Sequence, residues 1–163
     1  MKGYGAARLL AVAAAALIVE TTILADIAWA GARPDLLVAV VAFAALFAPE
    51  PAGALGMAWA VGLMRDLATA GPLGQYALIY LVIGWSISGL RPLLFREHPL
   101  TQAAVGGIAA GIAGLASAAC TSAFTGGIPL GLCLARAGAS ALATAVLAPI
   151  AITLLSRTRL LVR

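Results

Sequence analysis

The sequence predicts an all-α integral membrane protein, one bundle of six transmembrane helices, on three observations. Hydrophobic side chains make up 63% of the 163 residues and charged ones 10%, whereas a soluble domain carries about 25% charged residues. Apolar residues run unbroken for long stretches, which excludes the alternating strands of an outer-membrane barrel and leaves helices as the spanning element. Breaks at Pro49-Glu50-Pro51, Gly71-Pro72, Arg91-Pro92 and Gly126-Gly127-Ile128-Pro129 cut the chain into pieces of about one crossing, at roughly 20 residues each. No sizeable domain outside the bilayer fits. Membrane lipid is the surrounding medium, and nothing in the composition points to nucleic acid.

Segment one, residues 9–30, follows Lys2 and Arg8 and carries Glu20 and Asp26. Segment two, residues 35–48, is stopped by the two prolines, which deny helix hydrogen bonds. As a helix it would be only about 21 Å long against a hydrocarbon core of roughly 30 Å, so it reads as a half-span or a thinned crossing. Segments three and four, residues 52–70 and 73–90, flank Gly71-Pro72. Segments five and six, residues 101–124 and 132–155, flank the Gly126–Pro129 turn.

If every segment crosses, Lys2, Arg8, Arg91, Arg96, Arg157, Arg159 and Arg163 fall on one side and Arg33, Arg65 and Arg136 on the other. The positive-inside rule then places both termini in the cytoplasm. A re-entrant hairpin of segments two and three would leave that parity unchanged. The N-terminus imitates a secretory signal, with Ala28-Trp29-Ala30 resembling a cleavage site. Its apolar stretch is longer than the usual 7–15 residues or so, and the segment is therefore read as a retained helix.

Polar residues inside the spans are the candidate functional groups. Glu20 lies about 17 Å into segment one, near the bilayer middle. It is either a proton or substrate site or a carboxyl satisfied by Thr21, Thr22 or a neighbouring hydroxyl. Asp26, Arg33, Asp35, Arg65, Asp66 and Arg136 map to the outer end, where they either pin helices by ion pairing or form a ligand or partner site. Arg136 has no acid within four residues, so its charge calls for Asp26 or Asp66 on another helix. Asp66, about one turn before the end of segment three, is placed to accept hydrogen bonds from N–H groups around residues 73–76, or to join an outer binding face. Small residues form a second pattern: Gly107 and Gly111 in segment five, and Ala52, Gly56 and Ala60 in segment three, for helix packing or for docking another membrane helix.

The single histidine, His98, has no metal or catalytic partners, and no phosphate-cradling glycine loop is present. An enzyme is not expected, nor a cofactor. Cys120 and Cys133 read as small apolar helix residues, with a disulfide as the alternative.

Arg33-Pro34-Asp35-Leu36-Leu37, Ala45-Leu46-Phe47, Gly62-Leu63-Met64-Arg65-Asp66-Leu67, Gly71-Pro72-Leu73-Gly74 and Tyr76-Ala77-Leu78-Ile79-Tyr80 together resemble the bacterial rod shape-determining MreD family. The Asp-Leu pair followed by Gly-Pro-Leu-Gly is the most specific element, because hydropathy does not explain its spacing. Arg65 departs from the pattern, which would place an apolar residue before Asp66. The resemblance implies a non-enzymatic inner-membrane component of the cell-elongation machinery. It would bind an MreC-like scaffold and, through it, the RodA and class B penicillin-binding protein synthase and the MreB filament, supporting lateral peptidoglycan synthesis. The family is also similar in helix plan to the S-components of energy-coupling-factor transporters. A small-molecule binding or transport subunit is therefore the alternative, with Trp29, Trp59, Trp85, Tyr76 and Tyr80 as cavity lining.

Overall fold

The computed structural model describes residues 3–26, 33–95, 97–125 and 130–157, the side chains of residues 3–4, 23–26, 124–125 and 130 excepted. The Gly126–Pro129 turn, Ala28-Trp29-Ala30, Lys2, Arg96, Arg159, Arg163 and the side chain of Asp26 lie outside that set. Six helices follow one another: α1 (Gly3–Asp26), α2 (Leu36–Phe47), α3 (Pro51–Ala68), α4 (Gln75–Leu90), α5 (Pro99–Thr125) and α6 (Leu130–Arg157). A single 3-10 turn, Arg91–Leu93, extends α4. Four of them, α1, α4 with its 3-10 turn, α5 and α6, are long and apolar enough to cross a membrane.

The helix ends follow local chemistry. Pro51 sits in the first turn of α3, where its missing N–H costs nothing. α4 starts after Gly74, whose φ of 93° suits a residue without Cβ. α1 begins at Gly3, six residues before the hydrophobic stretch does, because hydropathy marks the lipid boundary and not the end of the hydrogen-bonded helix.

α2 is the hub. It touches each of the other five helices, and every residue from Leu37 to Leu46 is buried. This explains Leu-Leu-Val-Ala-Val-Val-Ala-Phe-Ala-Ala-Leu-Phe, a helix with no polar face because no face meets water. It also explains why twelve residues, about 18 Å, suffice. Wrapped in protein, α2 need not match the lipid thickness, but it must find partners for its terminal N–H and C=O groups without water. The C-terminal end is met by Arg91, whose Nη1 donates to the Ala48 carbonyl. The N-terminal end is met by the polar cluster described below.

α5 and α6 form an antiparallel pair whose backbones nearly touch. A Cβ at Gly106 would collide with the Ala148 Cβ, one at Gly107 would lie 2.9 Å from the Ala145 Cβ, and one at Gly114 would lie 3.2 Å from the Ala137 Cβ. Gly111 is less tight, since a Cβ there would meet Ala141 at an ordinary 3.4 Å. Gly107→Leu is thus expected to cost about 2–3 kcal/mol by overpacking, and Gly111→Ala a few tenths at most; thermal unfolding in detergent separates the two.

The expected small-residue face of α3 is not a contact. Gly56 is exposed, with nothing within 4 Å of a Cβ built there. α3 instead packs through Ala54, Met57, Ala58, Val61 and Gly62. Sequence spacing identified a small-xxx-small pattern without its rotation about the helix axis, and the larger apolar side chains decided that rotation.

Candidate functional site

The polar site lies where the C-terminal ends of α1 and α3 meet the N-terminal ends of α2 and α4. Asp35 is the N-cap of α2: its Oδ1 accepts from the Val38 N–H at 3.0 Å, and its own N–H donates to Thr144 Oγ1 of α6 at 2.8 Å. Arg65 Nη1 lies 2.8 Å from Asp35 Oδ1 and 3.1 Å from Glu20 Oε1. The same Nη1 donates to the Tyr80 hydroxyl at 2.8 Å, and that hydroxyl donates to Asp35, 3.0 Å from both carboxylate oxygens. The Arg65 guanidinium also stacks 4.7 Å from the Tyr76 ring centroid, a favourable cation–π placement.

Two N–H groups on Nη1 serve three acceptors, so this network is saturated at its centre. At its edge, Glu20 Oε2 and Arg65 Nε are buried without a hydrogen-bond partner among the described residues. Glu20 lies against the backbone N–H groups of Leu36 and Leu37. Two carboxylates therefore sit at the positive end of the α2 dipole, and one guanidinium neutralises part of their charge. Chemically the arrangement is a helix cap for an element that cannot reach water.

Glu20 finds its partner on a neighbouring helix. It occupies the last two turns of α1, level with the start of α2, and its partner is Arg65. Thr21 and Thr22 do not serve it; they donate to the carbonyls of Leu17 and Ile18 on their own helix. It is also accompanied by a second buried acid, since Asp35 is 5% exposed and Glu20 6%.

Asp66 holds the adjoining corner. Its Oδ2 accepts from the N–H groups of Gly74 at 3.1 Å and Ala77 at 3.0 Å, and its Oδ1 from Tyr76 at 2.8 Å. The Gly71-Pro72-Leu73-Gly74 turn presents those donors, and Gly62 lets the two backbones close: a Cβ there would lie 2.5 Å from the Ala77 Cα and the Tyr76 carbonyl oxygen. Asp66→Asn keeps an acceptor and is expected to cost about 1 kcal/mol, whereas Asp66→Ala strands buried donors and should cost about 3 kcal/mol. Chemical unfolding of both variants in one detergent measures the difference.

Arg33 and Arg136 are not drawn into this network. Asp66 is committed to α4, and no carboxylate pairs with Arg136 among the described residues, so the expected Arg136–Asp66 pairing is not formed; the Asp26 side chain lies outside that set. Both arginines line a cavity of about 280 Å³ beside Arg65. The Arg33 carbonyl accepts from Ser140 Oγ at 2.7 Å, which places Pro34 in the short link between that anchor and the Asp35 cap. Cys120 and Cys133 are free thiols.

From sequence Tyr80 was a motif residue and an alternative cavity lining, and Thr144 had no assigned role. Tyr80 is fully buried, and its spacing of four from Tyr76 was the available signal, placing two aromatics on the face that meets Arg65. Thr144 carried no such signal.

Most of the residues that build the site, Asp35, Gly62, Arg65, Asp66, Gly74, Tyr76 and Tyr80, fall in one stretch of chain, and the family model for the rod shape-determining protein MreD matches residues 5–119. The chain belongs to the MreD family. It is accordingly a membrane protein of rod shape determination, in a family of shape-determining proteins and not of known enzymes. No curated protein and no solved structure matches it. The MreD match ends before α6, so Arg136, Ser140 and Thr144 lie beyond the matched residues.

Proposed function

We propose that the chain is a non-enzymatic adaptor of the cell-elongation machinery, a six-crossing inner-membrane bundle with both termini in the cytoplasm. Its outer polar end and lateral surface hold an MreC-like scaffold and thereby support RodA, the penicillin-binding protein synthase and MreB in lateral wall synthesis. The observation that carries this reading is the closure of Glu20, Asp35, Arg65 and Tyr80 on one another. Glu20, Asp35 and Arg65 pair with one another and tie helix ends together. A solute transporter of S-component type calls for a polar cavity of roughly 300 Å³ or more. The cavity at the polar end, about 280 Å³, is close to that size, and a larger one of about 580 Å³ is an apolar groove between α4 and α5; what favours the adaptor is the closed ion-pair network and not the volume.

The test is affinity purification from membranes in mild detergent. Co-elution of MreC-like and synthase proteins is the expected result, and recovery of the chain without either would overturn the proposal. Asp66→Asn sharpens it. Normal membrane levels with lost co-purification would assign the corner to the partner interface, whereas retained co-purification would leave Asp66 a helix cap alone. Orientation is tested by cysteine labelling, with positions 33 and 163 expected on opposite sides of the membrane.

A further inference from the structure

Among the described residues, the cavity beside the polar cluster contains more positive charge than the cluster uses. It is lined by Arg33, Arg65 and Arg136 together with Ser117, Thr121 and Ser140. Arg65 answers to Glu20 and Asp35, whereas Arg33 and Arg136 have no carboxylate partner among the described residues. Among the described side chains, three guanidinium groups meet two carboxyl groups. The hydroxyls complement them differently. Ser117 donates to the Gly114 carbonyl, Thr121 to that of Ser117 and Ser140 to that of Arg33. Ser117 and Ser140 have each spent the hydroxyl proton and turn lone pairs to the cavity. The cavity therefore presents donors that suit an oxyanion and acceptors that suit a hydroxyl beside it.

Its depth narrows the choice. Arg136 lies in the second turn of α6, about 9 Å from the helix start at 1.5 Å per residue, and Thr121 in the last two turns of α5. Both residues thus lie nearer a helix end than a helix middle, which in a crossing helix is nearer the headgroups than the hydrocarbon centre.

We propose that this cavity binds a phosphate group, presented by a hydroxyl-bearing lipid headgroup or as the free ion. Arg33 and Arg136 hold the phosphate oxygens, for which the planar guanidinium fork is matched, and the Ser117 and Ser140 oxygens accept from headgroup hydroxyls. A volume of about 280 Å³ admits a headgroup whose acyl chains stay outside along the helices. This site stands apart from the adaptor reading and does not depend on it.

The experiment uses the full chain, delipidated in mild detergent and titrated with dihexanoyl-phosphatidylglycerol, dihexanoylglycerol or inorganic phosphate, with thermal unfolding as the readout. Phosphatidylglycerol is expected to raise the midpoint saturably, and dihexanoylglycerol is not. The Arg33→Gln/Arg136→Gln variant should weaken the apparent affinity at least about tenfold, while Arg157→Gln at the opposite end leaves it unchanged. Should the double variant not fold, Ala118→Leu, which fills the cavity and keeps the charge, must abolish the same response. Stabilisation by inorganic phosphate to the same plateau assigns the site to the free ion; stabilisation by the headgroup lipid alone assigns it to lipid. Equal effects of phosphatidylglycerol and dihexanoylglycerol, no response in the wild type, or an undiminished response in the variants would each overturn the proposal.

Discussion

Replacing Arg65 by Met is expected to remove most of the folded protein from the membrane, and restoring neutrality is expected to bring it back. The guanidinium is the shared partner of Glu20, Asp35 and Tyr80. Without it two buried carboxylates face each other at the end of α2. Breaking a buried pair from one side costs about 3–5 kcal/mol, because the remaining charge has neither water nor a counter-ion. Neutralising the acids as well, in Arg65→Met/Glu20→Gln/Asp35→Asn, removes that penalty. Asn at position 35 still accepts from the Val38 N–H and so preserves the cap. Size-exclusion profiles and melting in detergent of the single and triple variants measure this. An Arg65→Met protein that melts with the wild type would show the ion pairs to be dispensable, and an unfolded triple variant would show that charge balance is not what Arg65 supplies.

Gly62→Ala should be nearly as damaging although it adds one methyl group. The new Cβ would sit 2.5 Å from the Ala77 Cα and the Tyr76 carbonyl oxygen. Both belong to backbone, so no rotamer change relieves the clash and α3 must part from α4. That separation draws Asp66 away from the N–H groups of Gly74, Tyr76 and Ala77 and Arg65 away from Tyr80. Overpacking ordinarily costs about 1–3 kcal/mol, and the lost cap places Gly62→Ala at or above the upper end of that range. Gly56→Ala is the control. Its Cβ meets nothing within 4 Å, and replacing an exposed helical glycine should gain up to about 1 kcal/mol. Equal melting temperatures for the two variants would contradict the close approach at Gly62.

Together these variants bear on how a shape-determining membrane protein keeps a wholly buried helix in register. α2 is clamped at both ends by side chains of its neighbours, Arg91 at Ala48 and the Asp35, Glu20 and Arg65 group at Leu36. Macrodipole and charge agree at each end, carboxylates at the positive end and a guanidinium at the negative one.

What the sequence determines by itself is whatever short-range chemistry decides. The excess of apolar residues sets the membrane class, proline and glycine pairs set the breaks between helices, and the eleven residues from Asp66 to Tyr76 form a corner whose donors and acceptor are close in the chain. The motif spacing was enough to mark the family. The tertiary structure alone decides which charges meet. Glu20, Asp35, Arg65, Tyr80 and Thr144 come from five helices or their caps, and their meeting depends on how each helix is rotated and how far it slides. Hydropathy reads neither quantity, which is why Glu20 was matched to nearby hydroxyls and Gly56 to a helix contact. A buried ion pair forms where packing of the large apolar side chains brings the groups together, and that packing is a property of all six helices at once.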